Sequence, residues 1–175
     1  MMKYSVLDKH EANGEGYEVR KYLPHKRTVS VCNRFYFIPI PYIVFMRYWD
    51  MHCTIFFNAI AKESDDVVYR ACLPNINRNN GICLGGWGDV WKTHFKHSRN
   101  ATMDDLVSRF WASDFDDFEN WTESKYAMRG NYGYFRKWGN LSLEEAVKKV
   151  NYHPIMLNDF ILQCIDGLET LMEYD

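Results

Sequence analysis

Two long apolar runs in the first third of the chain constrain its fold more than any other feature. Residues 35–48 are almost continuously apolar, and residues 52–61 form a second such run after a short polar break. Pro39 and Pro41 interrupt the first run, and a proline restricts a strand to a sheet edge or a bend. We therefore expect a kinked approach followed by a buried strand over 43–47, and a further strand within the second run.

Segments on either side of these runs extend the same pattern. Residues 28–31 form a short β-branched strand, and residues 67–72 alternate between apolar and polar positions. The intervening turns are too short for crossover helices, so the pattern predicts an antiparallel meander of about four strands. We expect the basic residues His25, Lys26 and Arg27 to form a solvated turn rather than an anion site.

Helix signals occur only in the second half of the chain. Thr102 is an expected N-cap, followed by acidic residues in the first turn and an apolar face from Leu106 to Trp111. Ser142 and Glu145 have the spacing of a capping box, and Pro154 is expected to open a last helix. Strands followed by helices indicate an α+β fold.

The same patterns predict how the chain is organised. A core over 28–125 holds the meander, and residues 1–27 form an N-terminal extension whose segment 17–23 reads as an edge strand. Residues 126–175 supply an aromatic loop and C-terminal helices packed on the core.

Composition limits the classes of function. The 175 residues are 47% hydrophobic and 17% aromatic with a net charge of −2, which favours a folded domain without bulk attraction to nucleic acid or anionic membrane. No apolar run is long enough to span a membrane, and residues 1–10 lack a signal-peptide pattern, so a cytoplasmic location is expected. Five irregularly spaced cysteines indicate reduced thiols.

The stretch from Arg70 to Gly88 is the best indication of function. Pro74 favours an extended conformation just before it, and the polar residues 77–81 favour a chain reversal. Cys83 follows this turn in a short apolar segment. The reversal therefore brings the thiol of Cys83 within reach of the amide of Asn75.

This segment resembles the active-site region of ubiquitin-conjugating enzymes. In that family a His-Pro-Asn triplet precedes the thioester cysteine by an Asn- and Gly-bearing loop. Here the match reads Leu73-Pro74-Asn75, then Asn80-Gly81-Ile82-Cys83-Leu84, with Leu73 in place of the largely structural histidine. The likeness covers roughly residues 28–120. It is greater to the divergent prokaryotic branch of this fold, which occurs in plasmid, phage and conflict-system gene clusters.

The resemblance implies a set of roles. Cys83 would carry a ubiquitin-like modifier as a thioester, and Asn75 would stabilise the oxyanion formed when an amine attacks. Asp89 could hold or deprotonate the incoming amine; the alternative is a loop carboxylate facing water. For Cys83 the alternative is a small buried hydrophobe. A catalytically inactive relative, acting as an assembly or interaction protein of a phage or mobile element, is the second hypothesis.

Other chemistry around Cys83 has weaker support. A thiol hydrolase would need His52, His94 or His97 as its base, and none has a local signature. Cys72, Cys83, His94 and His97 could be considered as zinc ligands, but the sequence contains no Cys-x2-Cys pair among them. The sequence therefore predicts neither a metal nor a cofactor. A phage-encoded chain would be placed in the host cytoplasm or the virion.

Aromatic residues interleaved with basic ones suggest a binding surface. The candidate partner-binding residues are Trp87, Trp91, Tyr132, Tyr134 and Trp138. Such a pattern can stack the bases of a single strand, but the acidic segment 114–119 weakens the positive field that nucleic acid requires. Packing in the core and at its rim is the simpler explanation, and a surface of this kind would otherwise bind protein.

Overall fold

The computed structural model describes residues 2–12, 15–31, 33–48, 52–58, 67–70, 73, 82, 102–115, 138–148, 154–156 and 159. In these residues the elements, in chain order, are β1 (Tyr4–Ala12), β2 (Glu15–Tyr22), β3 (His25–Val31), β4 (Arg34–Ile40), β5 (Tyr42–Tyr48), β6 (His52–Asn58), β7 (Val67–Arg70), α1 (Met103–Ala112), β8 (Asp114–Phe115), α2 (Leu143–Lys148) and β9 (Pro154–Met156). The described chain is thus α+β, with mainly antiparallel strands in two sheets and few helices.

The larger sheet contains six of the described strands. Its order is β1-β2-β5-β6-β7-β9, and all neighbours in it are antiparallel. Strands β5, β6 and β7 are consecutive both in the chain and in the sheet. The predicted meander is confirmed for these three strands, which have short connections. Its expected first strand, 28–31, belongs instead to β3 of the smaller sheet, so the meander of about four strands is not formed as predicted.

The smaller sheet is an insertion between two neighbouring strands of the larger one. After β2 the chain forms the β3–β4 hairpin, whose turn contains Asn33 in a left-handed conformation, φ 59°. Asparagine tolerates this conformation better than most residues. The chain then passes through Pro41 and returns as β5 beside β2. Strand β8 adds to β3 in parallel, giving the order β4-β3-β8 among the described strands.

The first half of the apolar run 35–48 differs from expectation. It is a complete strand, β4, rather than a kinked approach to β5. Pro39 lies within β4, where the sheet order places it at an edge of the described strands. An edge strand has one side without ladder bonds, so the missing N–H of proline costs the sheet nothing there.

The N-terminal prediction was wrong in one respect. The segment 17–23 was expected to be an edge strand, but β2 lies between β1 and β5. Strand β1 was not predicted, because its residues are mostly polar and pair with β2 instead of facing a buried core. The register, with Tyr4 opposite Tyr22, shifts between Val6 and Asp8 at an irregularity in β1.

Two further expectations are corrected. The basic residues 25–27 begin strand β3 and are not a solvated turn, because they pair with residues 38–40 of β4. Pro154 begins β9 and not a helix, and it lies opposite Tyr69 of β7. A proline is compatible with both structures at a first position, and the available edge of β7 decides between them.

The other two predicted helix starts, at Thr102 and Ser142, are confirmed. Thr102 caps α1, and its side chain accepts from the backbone N–H of Asp105 while the Asp105 carboxylate accepts from the backbone N–H of Thr102. Ser142 and Glu145 make the equivalent reciprocal bonds at α2, at 3.2 and 2.8 Å. Each pair satisfies two donors that the first turn of a helix leaves open.

One hydrophobic core joins the two sheets and α1. The members of this buried cluster are Tyr22, Val29, Val31, Ile38, Ile40, Ile43, Phe45, Leu73, Met103, Val107, Phe110, Trp111 and Trp138. The ring of Phe45 lies 5.4 Å from Tyr22, 5.8 Å from Phe110 and 6.2 Å from Trp111, centroid to centroid, each edge-on. Such contacts favour fixed ring positions.

Strand β5, near the centre of the larger sheet, is buried on both faces. Side chains alternate along a strand, so Val19, Val44 and Met46 face away from the core that contains Phe45. These three residues and Val68 are nevertheless fully inaccessible to solvent. A strand with neither face in water explains why residues 43–46 carry no polar side chain.

Removal of the α1 cap gives a first prediction. Thr102→Ala should lower the free energy of unfolding by about 1 kcal/mol, as measured by urea denaturation at neutral pH. Hydrogen bonds from Thr102 hold the pKa of Asp105 below its ordinary value of 3.8, so the part of the difference that depends on the Asp105 charge should be lost as pH falls through that lowered pKa. The bond from the Asp105 backbone N–H to the Thr102 hydroxyl does not titrate and should maintain the rest. Ser108→Ala, on the exposed side of α1, is the control and should not lower stability.

Candidate functional site

The Pro-Asn segment is attached to the core at both ends. Leu73 is only 5% exposed and belongs to the core cluster, and Ile82 is partly buried and packs against the same cluster. Eight residues, 74–81, lie between them in the chain. The two flanks of the predicted active-site loop therefore contact one hydrophobic core.

The environment of Leu73 accounts for its residue type. The ubiquitin-conjugating enzymes that this segment resembles have histidine at the matching position, whereas here the Leu73 side chain is buried among apolar residues. An unpaired polar ring at such a position would lose its hydrogen bonds to water. An apolar leucine therefore suits this position.

Most of the residues predicted to be functional lie outside the described part of the chain. They are Cys83, Asn75, Asp89, Trp87, Trp91, Tyr132 and Tyr134. Their roles remain predictions. The alternatives that invoke His94, His97 and Cys72 also concern undescribed residues.

Trp138 is the one candidate partner-binding residue within the described chain. It belongs to the core cluster, and its indole N–H donates to the carbonyl oxygen of Pro39 in β4. The next residue, Gly139, approaches the same strand so closely that an added Cβ would lie 3.0 Å from the carbonyl oxygen of Phe37. Trp138 thus makes contacts within its own molecule, which agrees with the packing interpretation of the aromatic residues.

Two exposed aromatic side chains were not identified from the sequence. Phe35 and Phe37 on β4 are 77% and 58% exposed, while Ile38 and Ile40 face the core. The alternation of side chains places both phenylalanines on the outer face of the smaller sheet. Their i, i+2 spacing was the available signal, but it was hidden because every neighbour in residues 35–40 is also apolar or aromatic.

The basic start of β3 is packed against α1. The guanidinium carbon of Arg27 lies 4.3 Å from the centre of the Trp111 ring, and its Nη1 is 3.2 Å from the sulfur of Met2. Burial lowers the pKa of Arg27. Among the described residues, Arg27 is thus held by the aromatic face of Trp111, with no carboxylate in contact with it.

His25 lies beside this contact. Its Nδ1 is 2.8 Å from the carbonyl oxygen of Leu23, and its ring meets that of Trp111 edge-on. Within the described residues its Nε2 is buried without a hydrogen-bond partner. Burial, with a smaller contribution from the charge of Arg27, lowers the pKa of His25 from 6.5, so the neutral ring is favoured in the fold.

A partly buried ion-pair cluster around Arg20 connects β2 to α1. Arg20 donates to Glu18 on its own strand and, at 2.8 Å, to Asp104 in the first turn of α1, while its guanidinium covers the ring of Tyr4. Although burial alone would lower the pKa of Arg20, its hydrogen bond to Glu18 and the Glu18 charge raise it. These contacts give Arg20 the role of joining two elements.

The described residues contain neither a metal-binding cluster nor a membrane-spanning helix. Across the described ranges, no group of three or more His, Cys, Asp or Glu side chains is arranged to hold a metal ion. No helix among them has the length and apolar character needed to cross a bilayer.

No known protein family, curated protein or solved structure matches this chain. Its interpretation therefore depends on its own residues and their contacts.

The surroundings of His25 give a second prediction. Because the pKa of His25 is lower in the folded than in the unfolded chain, stability present above pH 6.5 should decline as pH falls through that value and the lowered folded pKa. In urea unfolding curves recorded between pH 7.5 and 5, His25→Gln should remove this part of the fall in the free energy of unfolding. His10→Gln, at an exposed position, should leave it unchanged. An identical decline in His25→Gln would contradict the proposed neutral state.

Proposed function

We propose that this protein is a ubiquitin-conjugating-like carrier that holds an acyl group as a thioester on Cys83. The observation that carries the proposal is the attachment of Leu73 and Ile82 to one core, on the two sides of the Pro-Asn loop. The consecutive antiparallel strands β5 to β7, which lead towards this loop, provide further support.

Covalent geometry connects these anchors to the reacting groups. Consecutive Cα atoms are 3.8 Å apart, so Cys83 follows Ile82 at that distance and Asn75 lies within about 7 Å of Leu73. The thiol and the amide are therefore joined by short chain segments to residues that contact the same core. This common attachment supports the proposal that the loop brings the amide towards the thiol.

The proposed reaction has two steps. The Cys83 thiolate attacks the carbonyl carbon of an activated C-terminus, a carbon–sulfur bond forms, and the original leaving group departs. An amine then attacks the new thioester, and the side-chain N–H of Asn75 donates to the oxyanion. Asp89 accepts a proton from the amine as the Cys83 thiolate leaves. The product is an amide, and the thiol is regenerated.

Chemical charging tests this function without knowledge of the natural modifier. The protein is incubated at neutral pH with a short synthetic peptide bearing a C-terminal alkyl thioester, and acylation of each of the five cysteines is followed by mass spectrometry. We expect acylation to occur fastest at Cys83. Asn75→Ala should leave the charging rate unchanged but slow discharge to an added amine by roughly 100-fold, the typical cost of one oxyanion donor.

Variants of the same loop provide the controls. Asn77→Ala removes a nearby amide that has no assigned role and should discharge normally, whereas Cys83→Ser should not form a thioester. The proposal is rejected if Cys83 reacts no faster than Cys32, Cys53, Cys72 and Cys164, or if both asparagine variants discharge alike.

An interaction protein without catalytic activity is the second candidate. The exposure of Phe35 and Phe37 on the outer face of the smaller sheet favours it, since aromatic side chains are enriched in protein interfaces. The resemblance to the phage-associated branch suggests an assembly role. In this case the fold and its surface would be retained while the thiol chemistry is lost.

Paired substitutions separate the two candidates. The double variant Phe35→Thr, Phe37→Thr changes only exposed positions and keeps β-forming residues, so its free energy of unfolding should stay within about 1 kcal/mol of the unsubstituted value. In a cell whose growth or phage yield depends on the gene, an interaction protein should lose activity in this variant and retain it in Cys83→Ser. The reverse outcome supports the carrier.

A further inference from the structure

Strand β4 has the properties of an aggregation-prone edge. Residues 35–38 are aromatic or apolar without interruption, and the strand lies at an edge among the described strands of the smaller sheet. Side chains of this type strongly favour extended structure, and an edge strand presents free N–H and C=O groups to any other strand. Such an edge can pair with a second copy of the same chain unless it is blocked.

The contacts of Pro39 show which backbone groups lie on the outer side of β4. Proline has no N–H, and the carbonyl of Pro39 accepts from the indole N–H of Trp138, which lies outside the β3–β4 pair. We infer from this contact that the Pro39 carbonyl is directed away from β3. In an antiparallel pair the N–H and C=O of one residue point to the same side, and this direction alternates along the strand. The polar backbone groups of Phe35 and Phe37 therefore also point away from β3.

Trp138 and Gly139 contact this outer side directly. The indole N–H of Trp138 occupies the Pro39 carbonyl, and Gly139 approaches the Phe37 carbonyl closely enough to leave little room for a side chain. The absence of an N–H at Pro39 removes a further donor. Three independent features thus reduce pairing along the second half of β4.

We propose that Trp138 and Gly139 form an edge cover that prevents β4 from pairing with β4 of a second copy. Two identical strands can pair antiparallel about a twofold axis, which makes the contact closed and self-complementary. The exposed rings of Phe35 and Phe37 would add apolar contacts to such a dimer. This role is independent of any reaction at Cys83 and uses only described residues.

Loss of the indole N–H is the direct test. Trp138→Phe keeps an aromatic ring in the core but leaves the Pro39 carbonyl open, and Gly139→Ala displaces the segment from the Phe37 carbonyl. Light scattering coupled to size-exclusion chromatography, over a dilution series, should give a mass about twice that of the unsubstituted protein at the same concentration. Circular dichroism identifies the variants that retain the native fold.

Substitutions at Phe35 establish the mode of association. In the Trp138→Phe background, Phe35→Pro removes an outward N–H without affecting the β3 ladder and should restore the original mass. Phe35→Thr keeps that N–H and should leave the dimer in place. Restoration by both variants would mean that the rings associate face to face, which overturns the proposal.

The remaining outcomes also decide the question. A folded Trp138→Phe protein that keeps the mass of the unsubstituted chain at every concentration refutes the edge cover. If Trp138→Phe does not fold, Gly139→Ala takes its place, because the added methyl group displaces the 138–139 segment from the Phe37 carbonyl and so opens the outer side of β4. A folded Gly139→Ala protein that keeps the mass of the unsubstituted chain then refutes the edge cover.

Discussion

The ring of Phe45 is the contact on which the rest of the fold depends. It lies on the central strand β5 and meets Tyr22 of β2 together with Phe110 and Trp111 of α1. Because β5 follows β4 directly after Pro41, the same core must also accommodate the smaller sheet. One buried cluster therefore fixes two sheets and a helix relative to one another, and small changes of volume within it would be felt in all three.

Polar contacts complement this packing at its margin. Arg20 joins β2 to the start of α1 through Asp104, and Arg27 joins β3 to the end of the same helix through the face of Trp111. Both arginine side chains extend from a sheet to α1. The charge of Arg20 is paired with carboxylates, and the charge of Arg27 is covered by an aromatic ring. Burying a cation is costly unless it is paired in this way. These contacts define the orientation of α1, and the apolar cluster supplies most of its stabilisation.

The candidate active-site loop and the β4 edge illustrate two uses of the same core. Leu73 and Ile82 pack on the core at the two ends of a segment whose sequence resembles a thioester site. Trp138 packs on the same core and donates a hydrogen bond to Pro39. The described residues Leu73, Ile82 and Trp138 all pack on this core. The carrier hypothesis depends on the thiol of Cys83, and the interaction hypothesis depends on the exposed rings of Phe35 and Phe37 on β4. Both hypotheses use the same scaffold.

Local sequence determined the features that depend on neighbouring residues. The caps at Thr102 and Ser142, the buried strand β5 and the antiparallel order of β5 to β7 follow from short-range spacing and short connections, which is why they were predicted. Tertiary structure alone decided that β2 lies inside a sheet, that Pro154 begins a strand, and that Trp138 is buried against Pro39. In each of these cases the deciding partner is distant in the chain or too polar to show a hydrophobic pattern, and side-chain periodicity carries no information about such a partner.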